Sequence, residues 1–482
     1  MKLWQKIVGM FGIAFLIRLI GLDQSLWLDE ATSAQVAKIY SFGDIITKFS
    51  PADFHPPLYY LTLKLWTFIG GTSEIWLRML SVMCSLLAGY FVYLIGRKIK
   101  NESTGLWAAA YFLFNPLIIY YSQEARMYMM VTALLTGLTY FTLAYPKNKY
   151  SLIAIPVLSL LSIFTFYGSL LYIVTLGMLL VLRRKWALAL GVGATLVTGL
   201  IIVSPLLFQQ LNHAHIMLAQ VKNWSLVLGK AELKNVLMFP MKFTSGRISF
   251  TPKALYYALS FGWITVLLWP IVKGARKQLF LLGVFLLPIV LGYVLSFFTP
   301  MMQYFRFQYV IPMLALLLTC GVSGKLYRSI LLGGFLMWSG VYLFVPAFHR
   351  EDWKALSRIL PSSIPTYMVL SSSDPLKYYH TEARLRELSS LEHVSLSSEL
   401  AVIPYTADIH GINYSKILTD KGYVKSKIVS VRQLSYEVWE NSNKTQVGKS
   451  ESGLPGSISY INEGSSGHRD TFLQPLDSIN SK

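Results

Sequence analysis

The sequence predicts an all-α polytopic membrane protein with a small α/β domain outside the bilayer. Three observations carry that expectation. Of 482 residues, 54% are hydrophobic and 14% charged, where soluble domains sit near a quarter charged. Apolar runs of about twenty residues recur, the length a helix needs to cross a bilayer. Lysines and arginines gather between alternate runs, as membrane topology requires.

Met1 to Leu22 has a basic start and an apolar middle, which fits a signal peptide or a first span. No small-residue cleavage pattern follows and Arg18 interrupts the run, so an uncleaved first helix is expected. Spans, this first helix included, are expected near 4–22, 76–96, 104–121, 127–145, 150–166, 167–182, 186–208, 254–272, 278–298, 307–321 and 326–346, about eleven in all. Lys2/Lys6, Arg97/Lys98/Lys100, Lys147/Lys149, Arg183/Arg184/Lys185, Lys273/Arg276/Lys277 and Lys325/Arg328 fall in every second connection. The positive-inside rule then puts the N-terminus in the cytoplasm of a multi-pass cell-membrane protein. The net charge of +19 is this topology signal, so no nucleic-acid partner is expected. Cys84 and Cys320 lie in apolar runs and read as small core residues.

The outer side receives a long first loop, about 23–75, the turn 121–126, the stretch 209–253 and the turn 299–306. Phe42-Gly-Asp-Ile-Ile and Ala231-Glu-Leu-Lys-Asn-Val-Leu have the mixed pattern of interfacial helices. His213-x-His215 reads as an exposed turn, because no third ligand accompanies it. Residues 1–346 form the transmembrane domain. Residues 347–440 carry charge, strand patterns at Thr366-Tyr-Met-Val-Leu and Glu399-Leu-Ala-Val-Ile-Pro-Tyr, and helix patterns at 352–360 and 414–421. Residues 441–482 are rich in Ser, Gly, Asn and Lys and are expected to be disordered.

The outer turns share an unusual composition. The first loop brings Trp27-Leu28-Asp29-Glu30, then His55-Pro-Pro-Leu-Tyr59-Tyr60. The second outer turn reads Tyr120-Tyr121-Ser122-Gln123-Glu124-Ala125-Arg126-Met127-Tyr128, and a later one Gln303-Tyr304-Phe305-Arg306. Ionisable groups at a membrane edge are costly and justify a functional hypothesis. The bland alternatives are plain: Asp29 as a loop carboxylate, Glu30 as a first-turn helix acid, Glu124 and Arg126 as a structural pair. The tyrosines, likewise, would form an interfacial belt.

As an ordered set these segments resemble the polytopic glycosyltransferases of the GT-C fold, in particular the bacterial branch of the protein O-mannosyltransferase and aminoarabinose transferase group. Ser204-Pro-Leu-Leu-Phe-Gln-Gln, Arg306-Phe-Gln-Tyr-Val-Ile-Pro and Glu351-Asp352-Trp353 add to the likeness, which covers roughly residues 1–360. The resemblance implies a polyprenyl-phosphate-linked sugar as donor, mannose being the family's common theme, and a hydroxyl acceptor on protein, lipid or polysaccharide. It implies membrane lipid as the medium and an extracytoplasmic active site. Asp29 takes the family's acidic position as general base, with Glu30 beside it. Arg126, His55 and Arg306 are implied as donor phosphate contacts, and Glu124, Tyr59 and Tyr128 as acceptor or orienting residues. His55 stands where the aminoarabinose branch has a lysine. It could donate to phosphate while neutral, bind a metal, or cap the Pro-Pro turn. No cofactor is fixed, and a divalent cation, Mg or Mn, is compatible.

Two other classes compete. A transporter or flippase would place ionisable residues near the midplane and often shows an internal repeat; none is seen. A glycan ligase would favour Arg/His clusters in a long outer loop over an early acidic pair.

Overall fold

The apolar runs fold as helices, and their breaks are written in the sequence. The expected span at 104–121 is two helices, Glu102–Leu113 and Pro116–Ser122. Asn115 separates them, its side chain accepting from the backbone N–H groups of Leu117 and Ile118. Proline at a first helical position forfeits no intrahelical bond, so the second helix starts there at no cost. The computed structural model describes residues 2–380 and 383–442, and the tail from 443 on lies outside the described residues.

Among those residues five helices are long and apolar enough to cross a membrane: Glu74–Ile99, Trp186–Gln220, Lys253–Lys277, Tyr304–Gly321 and Lys325–Phe344. Tyr128–Ala144, Ser151–Thr165, Ser169–Leu182 and Leu279–Leu295 are shorter apolar helices. The number of crossings is therefore not fixed at about eleven by length and composition. The helix from Trp186 runs on past 208 to Gln220. His213 and His215 thus sit on a helix and not in a turn, and the His213 ring stacks on Phe54 at 5.5 Å.

The chain forms two compact units. The first comprises Met1–Asp23, Val36–Met217 and Leu228–Phe348. Within it the stretch Tyr304–Gly321 is 83% buried, against 22% for the most apolar part of Lys253–Lys277. The latter leaves Phe261 and Trp269 exposed by 72% and 62%, an apolar surface suited to lipid. Its other side is packed tightly. A Cβ on Gly274 would lie 1.9 Å from the Leu317 carbonyl oxygen, and one on Gly321 would lie 1.9 Å from that of Pro270. Small residues bring membrane helices to this distance, since packing is the main attraction available to them. Arg18, the charge in the first apolar run, is fully buried and donates to the carbonyls of Ala14 and Leu113 and to Ser85 Oγ.

The second unit comprises Gln24–Gln35, Leu218–Val227 and the described residues from His349 onward. Its five strands are β1 (Thr366–Met368), β2 (Leu385–Glu387), β3 (Glu399–Val402), β4 (Tyr423–Val431) and β5 (Leu434–Asn441), in the order β2-β1-β3-β5-β4. The β1 pairings to β2 and β3 are parallel, and β5 runs antiparallel to β3 and β4. Two of these strands and the helices Trp353–Ile359 and Tyr414–Asp420 fall where the sequence pattern puts them. The core gathers around Trp353, Leu356, Met368, Ala401 and Ile403.

This unit also recruits the start of the first loop. The Leu26 N–H donates to the Tyr379 hydroxyl at 2.8 Å, Thr32 Oγ1 to Asp374 Oδ2 at 2.7 Å, and the Lys354 N–H to Ser25 Oγ at 3.1 Å. Residues 218–227 join through Asn223, whose N–H and Nδ2 reach the carbonyls of Ile409 and Asp408. The expected boundary at 346/347 therefore differs from the structural one. Periodicity and composition are local signals, and these attachments span hundreds of residues.

Candidate functional site

Two clusters hold the residues singled out above, one in each unit. In the first unit Pro56 and Pro57 shape the loop. Neither has an N–H, and Pro57 is the residue before the helix Leu58–Gly70. The loop residues just before them, Asp53 and His55, face each other with Oδ2 and Nδ1 3.5 Å apart. Their side chains are 16% and 20% exposed, yet the two facing atoms are shut off from solvent. At 3.5 Å this is an electrostatic pair and a long hydrogen bond at most.

Burial would raise the Asp53 carboxyl, but the charge and contact of His55 and then the Arg126 guanidinium reverse that and hold it below the usual range. Burial pushes the His55 imidazole down; Asp53 opposes this, while Arg126 and Arg306 add to it, and the net direction is down. The charges of both arginines thus bear on His55. His55 is held neutral among cations, which suits a hydrogen bond to an anion without a proton of its own.

Arg126 is 4% exposed, and its Nη1 donates to the Tyr60 hydroxyl at 3.4 Å. It lies in the turn between Pro116–Ser122 and Tyr128–Ala144, where its own N–H donates to the Glu124 carbonyl at 2.9 Å. Glu124 is 3% exposed in the same turn. Arg306 is half-buried at the 3-10 turn Tyr304–Val310.

The tyrosines form no belt. Tyr59, Tyr60, Tyr120, Tyr121 and Tyr128 are all 5% exposed or less. Tyr59 packs edge-on against Tyr60. Tyr128 meets Phe166 and Phe305 edge-on, and Phe166 in turn stacks on His55 at 6.3 Å. Aromatic walls of this kind lower the local dielectric and strengthen the charges they enclose.

Sequence reading gave no role to Asp53 or to Gln210, the last residue of the Ser204 segment, and passed over a further cationic group. Arg247 Nη1 donates to the Tyr120 hydroxyl at 2.8 Å. Lys242 is 5% exposed and donates to the Ile248 carbonyl. Burial, then Arg247 and Lys253, push its ammonium down to about 7. The signal available was the density of Lys and Arg between 242 and 253, a stretch outside the alternate connections in which the other basic clusters fall.

In the second unit Asp29 and Glu30 open the helix Leu28–Ile39. Asp29 is half-buried, whereas Glu30 is fully buried and its Oε2 accepts from the Trp27 N–H at 3.4 Å. That is half of a capping box, and it gives Glu30 a structural task at the helix start. Tyr405 follows β3 and donates to Glu351 Oε1 at 3.4 Å, with its ring edge-on to Trp353 at 4.9 Å. Burial, the carboxylates of Glu351 and Asp29 raise the Tyr405 phenol well above its ordinary value, against the pull of Arg350. The next residue, Thr406, is held at φ 64, a strained backbone for a side chain branched at Cβ. Arg350 stacks over Trp27 at 3.6 Å. Tyr405 and Glu351 of the sheet domain thus share an environment with Asp29.

Among the described residues no three His, Cys, Asp or Glu side chains converge as metal ligands.

Residues 54–208 match the family described as dolichyl-phosphate-mannose-protein mannosyltransferase. That segment contains His55, Tyr59, Glu124, Arg126 and Tyr128. No curated protein matches by sequence. Among solved structures the chain is similar to ArnT from Cupriavidus metallidurans in the apo state. The TM-score is 0.54 at 11% identity, over 91% of this chain and 98% of that one. It is also similar to the archaeal oligosaccharyltransferase AglB from Archaeoglobus fulgidus, solved with an inhibitory peptide and a dolichol-phosphate. Here the TM-score is 0.51 at 11% identity, over 91% and 74% of the two chains. At these identities the likeness is one of fold.

Proposed function

We propose that this chain, a glycosyltransferase of the GT-C fold, moves a sugar from a polyprenyl-phosphate carrier to an acceptor hydroxyl on the extracytoplasmic face of the cell membrane. Mannose is the sugar we favour, on the strength of the matched family. AglB, of the same fold, is recorded with a dolichol-phosphate, which supports a lipid carrier.

Asp29 takes the proton of the acceptor hydroxyl as that oxygen forms a bond to the anomeric carbon. The anomeric C–O bond to phosphate breaks, its electron pair leaving with the phosphate. One displacement of this kind inverts the configuration. A phosphate leaves without a strong general acid; it needs cations and donors around its oxygens. Arg126, with its planar fork, takes that role first, with His55 and Arg306 beside it. The observation that carries the reading is this last cluster. Burial, joined by the charges of Arg126 and Arg306, holds His55 neutral beside Asp53 within a segment that matches the family. Cations at close quarters in an aromatic enclosure are relieved by an anion. Glu30 we assign to the helix cap and Glu124 to the turn that carries Arg126. Tyr59 and Tyr128 are assigned to the aromatic wall.

The full-length protein in lipid nanodiscs should be offered a panel of polyprenyl-phosphate sugars with hydroxyl acceptors, and the products weighed by mass spectrometry. A glycosylated acceptor formed from one donor supports the reading. Movement of intact lipid-linked sugar across vesicles without transfer would replace it with a flippase, and transfer of whole glycans from diphosphate carriers with a ligase.

A further inference from the structure

The stretch Ser204-Pro-Leu-Leu-Phe-Gln-Gln has no part in the chemistry above, yet its last residue makes long-range hydrogen bonds to the His55 loop. Gln210 is 3% exposed on the helix Trp186–Gln220. Its Nε2 donates to the Ser50 carbonyl at 2.7 Å and to the His55 carbonyl at 2.9 Å. Its Oε1 accepts from the Tyr167 hydroxyl at 2.6 Å. One carboxamide thus spans both ends of the segment that carries Asp53 and His55.

The orientation of that carboxamide is fixed by chemistry. Two backbone carbonyls can only accept, so the nitrogen must face them and the oxygen must face Tyr167. The loop also needs an outside donor. Pro56 and Pro57 contribute no N–H; Ser50 Oγ donates to the Ile45 carbonyl and the Asp53 N–H to that of Ser50, while the Phe54 and His55 rings stack on His213 and Phe166.

We propose that Gln210 is a positioning residue which, oriented by Tyr167, holds the Ser50–His55 segment so that Asp53 and His55 stay paired at the donor phosphate site. This rests on the reading of His55 as a phosphate contact. Gln210→Glu replaces the twofold donor with an oxygen facing two carbonyls. Gln210→Asn keeps the amide but shortens its reach, and Tyr167→Phe removes only the hydroxyl that orients it.

The test uses the full-length protein in nanodiscs, with hydrogen exchange over residues 45–57 and steady-state kinetics for donor and acceptor. Gln210→Glu is expected to speed exchange at Ala52 to His55 by about tenfold. It is expected to lower kcat/KM for the polyprenyl-phosphate sugar by roughly 10–100-fold, mainly through KM, with the acceptor KM unchanged. Tyr167→Phe should show the same pattern more weakly, and it decides the matter if Gln210→Glu fails to accumulate. Unchanged exchange would overturn the brace. Faster exchange with donor and acceptor KM rising together would overturn its link to the phosphate site. If the wild type transfers from no lipid-linked donor, the functional reading falls while the exchange data still decide the brace.

Discussion

His55 Nδ1 stands 3.5 Å from Asp53 Oδ2, and the imidazole is nonetheless held below its ordinary pKa. A carboxylate neighbour alone would do the opposite. Burial and the two arginines outweigh it, so His55 is neutral at pH 7 and becomes charged only below its usual range. The sign can be tested by histidine NMR on labelled protein. Asp53→Asn removes the one group that raises His55, and its titration should move lower still. Arg126→Gln or Arg306→Gln should move it higher. A downward shift on removing either arginine would contradict the cluster.

Asp29→Asn should lower transfer by about 10²–10⁴, the worth of a positioned base, at unchanged protein level and donor KM. Glu30→Gln should retain most activity, because a glutamine can still reach the Trp27 N–H and complete the helix start. Radiolabel transfer in membranes separates the two. Equal losses would return Glu30 to the chemistry.

Arg126→Ala should cost roughly 10²–10³ in kcat, as loss of a donor at a developing anion does. Arg126→Lys should recover little, since an ammonium cannot reproduce the fork. Steady-state rates at saturating donor measure this, and full recovery by lysine would reduce the role of Arg126 to bare charge.

Tyr405→Phe should remove the donor to Glu351 and cost about 1–3 kcal/mol of stability in the sheet-bearing unit, leaving a buried carboxylate short of a partner. Transfer should fall roughly tenfold through mispositioning, with donor KM unmoved. Thermal unfolding followed by near-UV circular dichroism, together with donor titrations, checks both halves.

Gly321→Ala forces a methyl group to within 1.9 Å of the Pro270 oxygen. Overpacking of this kind costs about 1–3 kcal/mol, and the detergent-solubilised protein should melt several degrees earlier. An unchanged melting temperature would mean that the two helices part at little cost.

Much of this was legible in the chain. Apolar length gave the helices, and the Asn115-Pro116 pair explains in hindsight the break that the run at 104–121 conceals. Two helices of the sheet-bearing unit and two of its five described strands followed from their sequence pattern. What stayed hidden is mostly long-range. Asp53 looks like any loop acid until His55 and Arg126 are seen around it. Gln210 is a polar residue in an apolar stretch, and only the fold reveals which carbonyls it serves. The strands β4 and β5 were missed because β4 is largely exposed and rich in lysine, so its alternation is weak. Tyr405 drew no notice because its partners, Glu351 and Asp29, are far away in sequence.

Gln24–Gln35 packs as part of the sheet-bearing unit, and this bears on how such proteins can be cut or recombined. A version ending at residue 348 would strip the stretch bearing Asp29 of Tyr379, Asp374 and Lys354. A chimera that exchanged only the C-terminal portion would graft a foreign surface against it. To transplant the sheet-bearing unit intact, an engineer would have to carry three separate pieces of chain together.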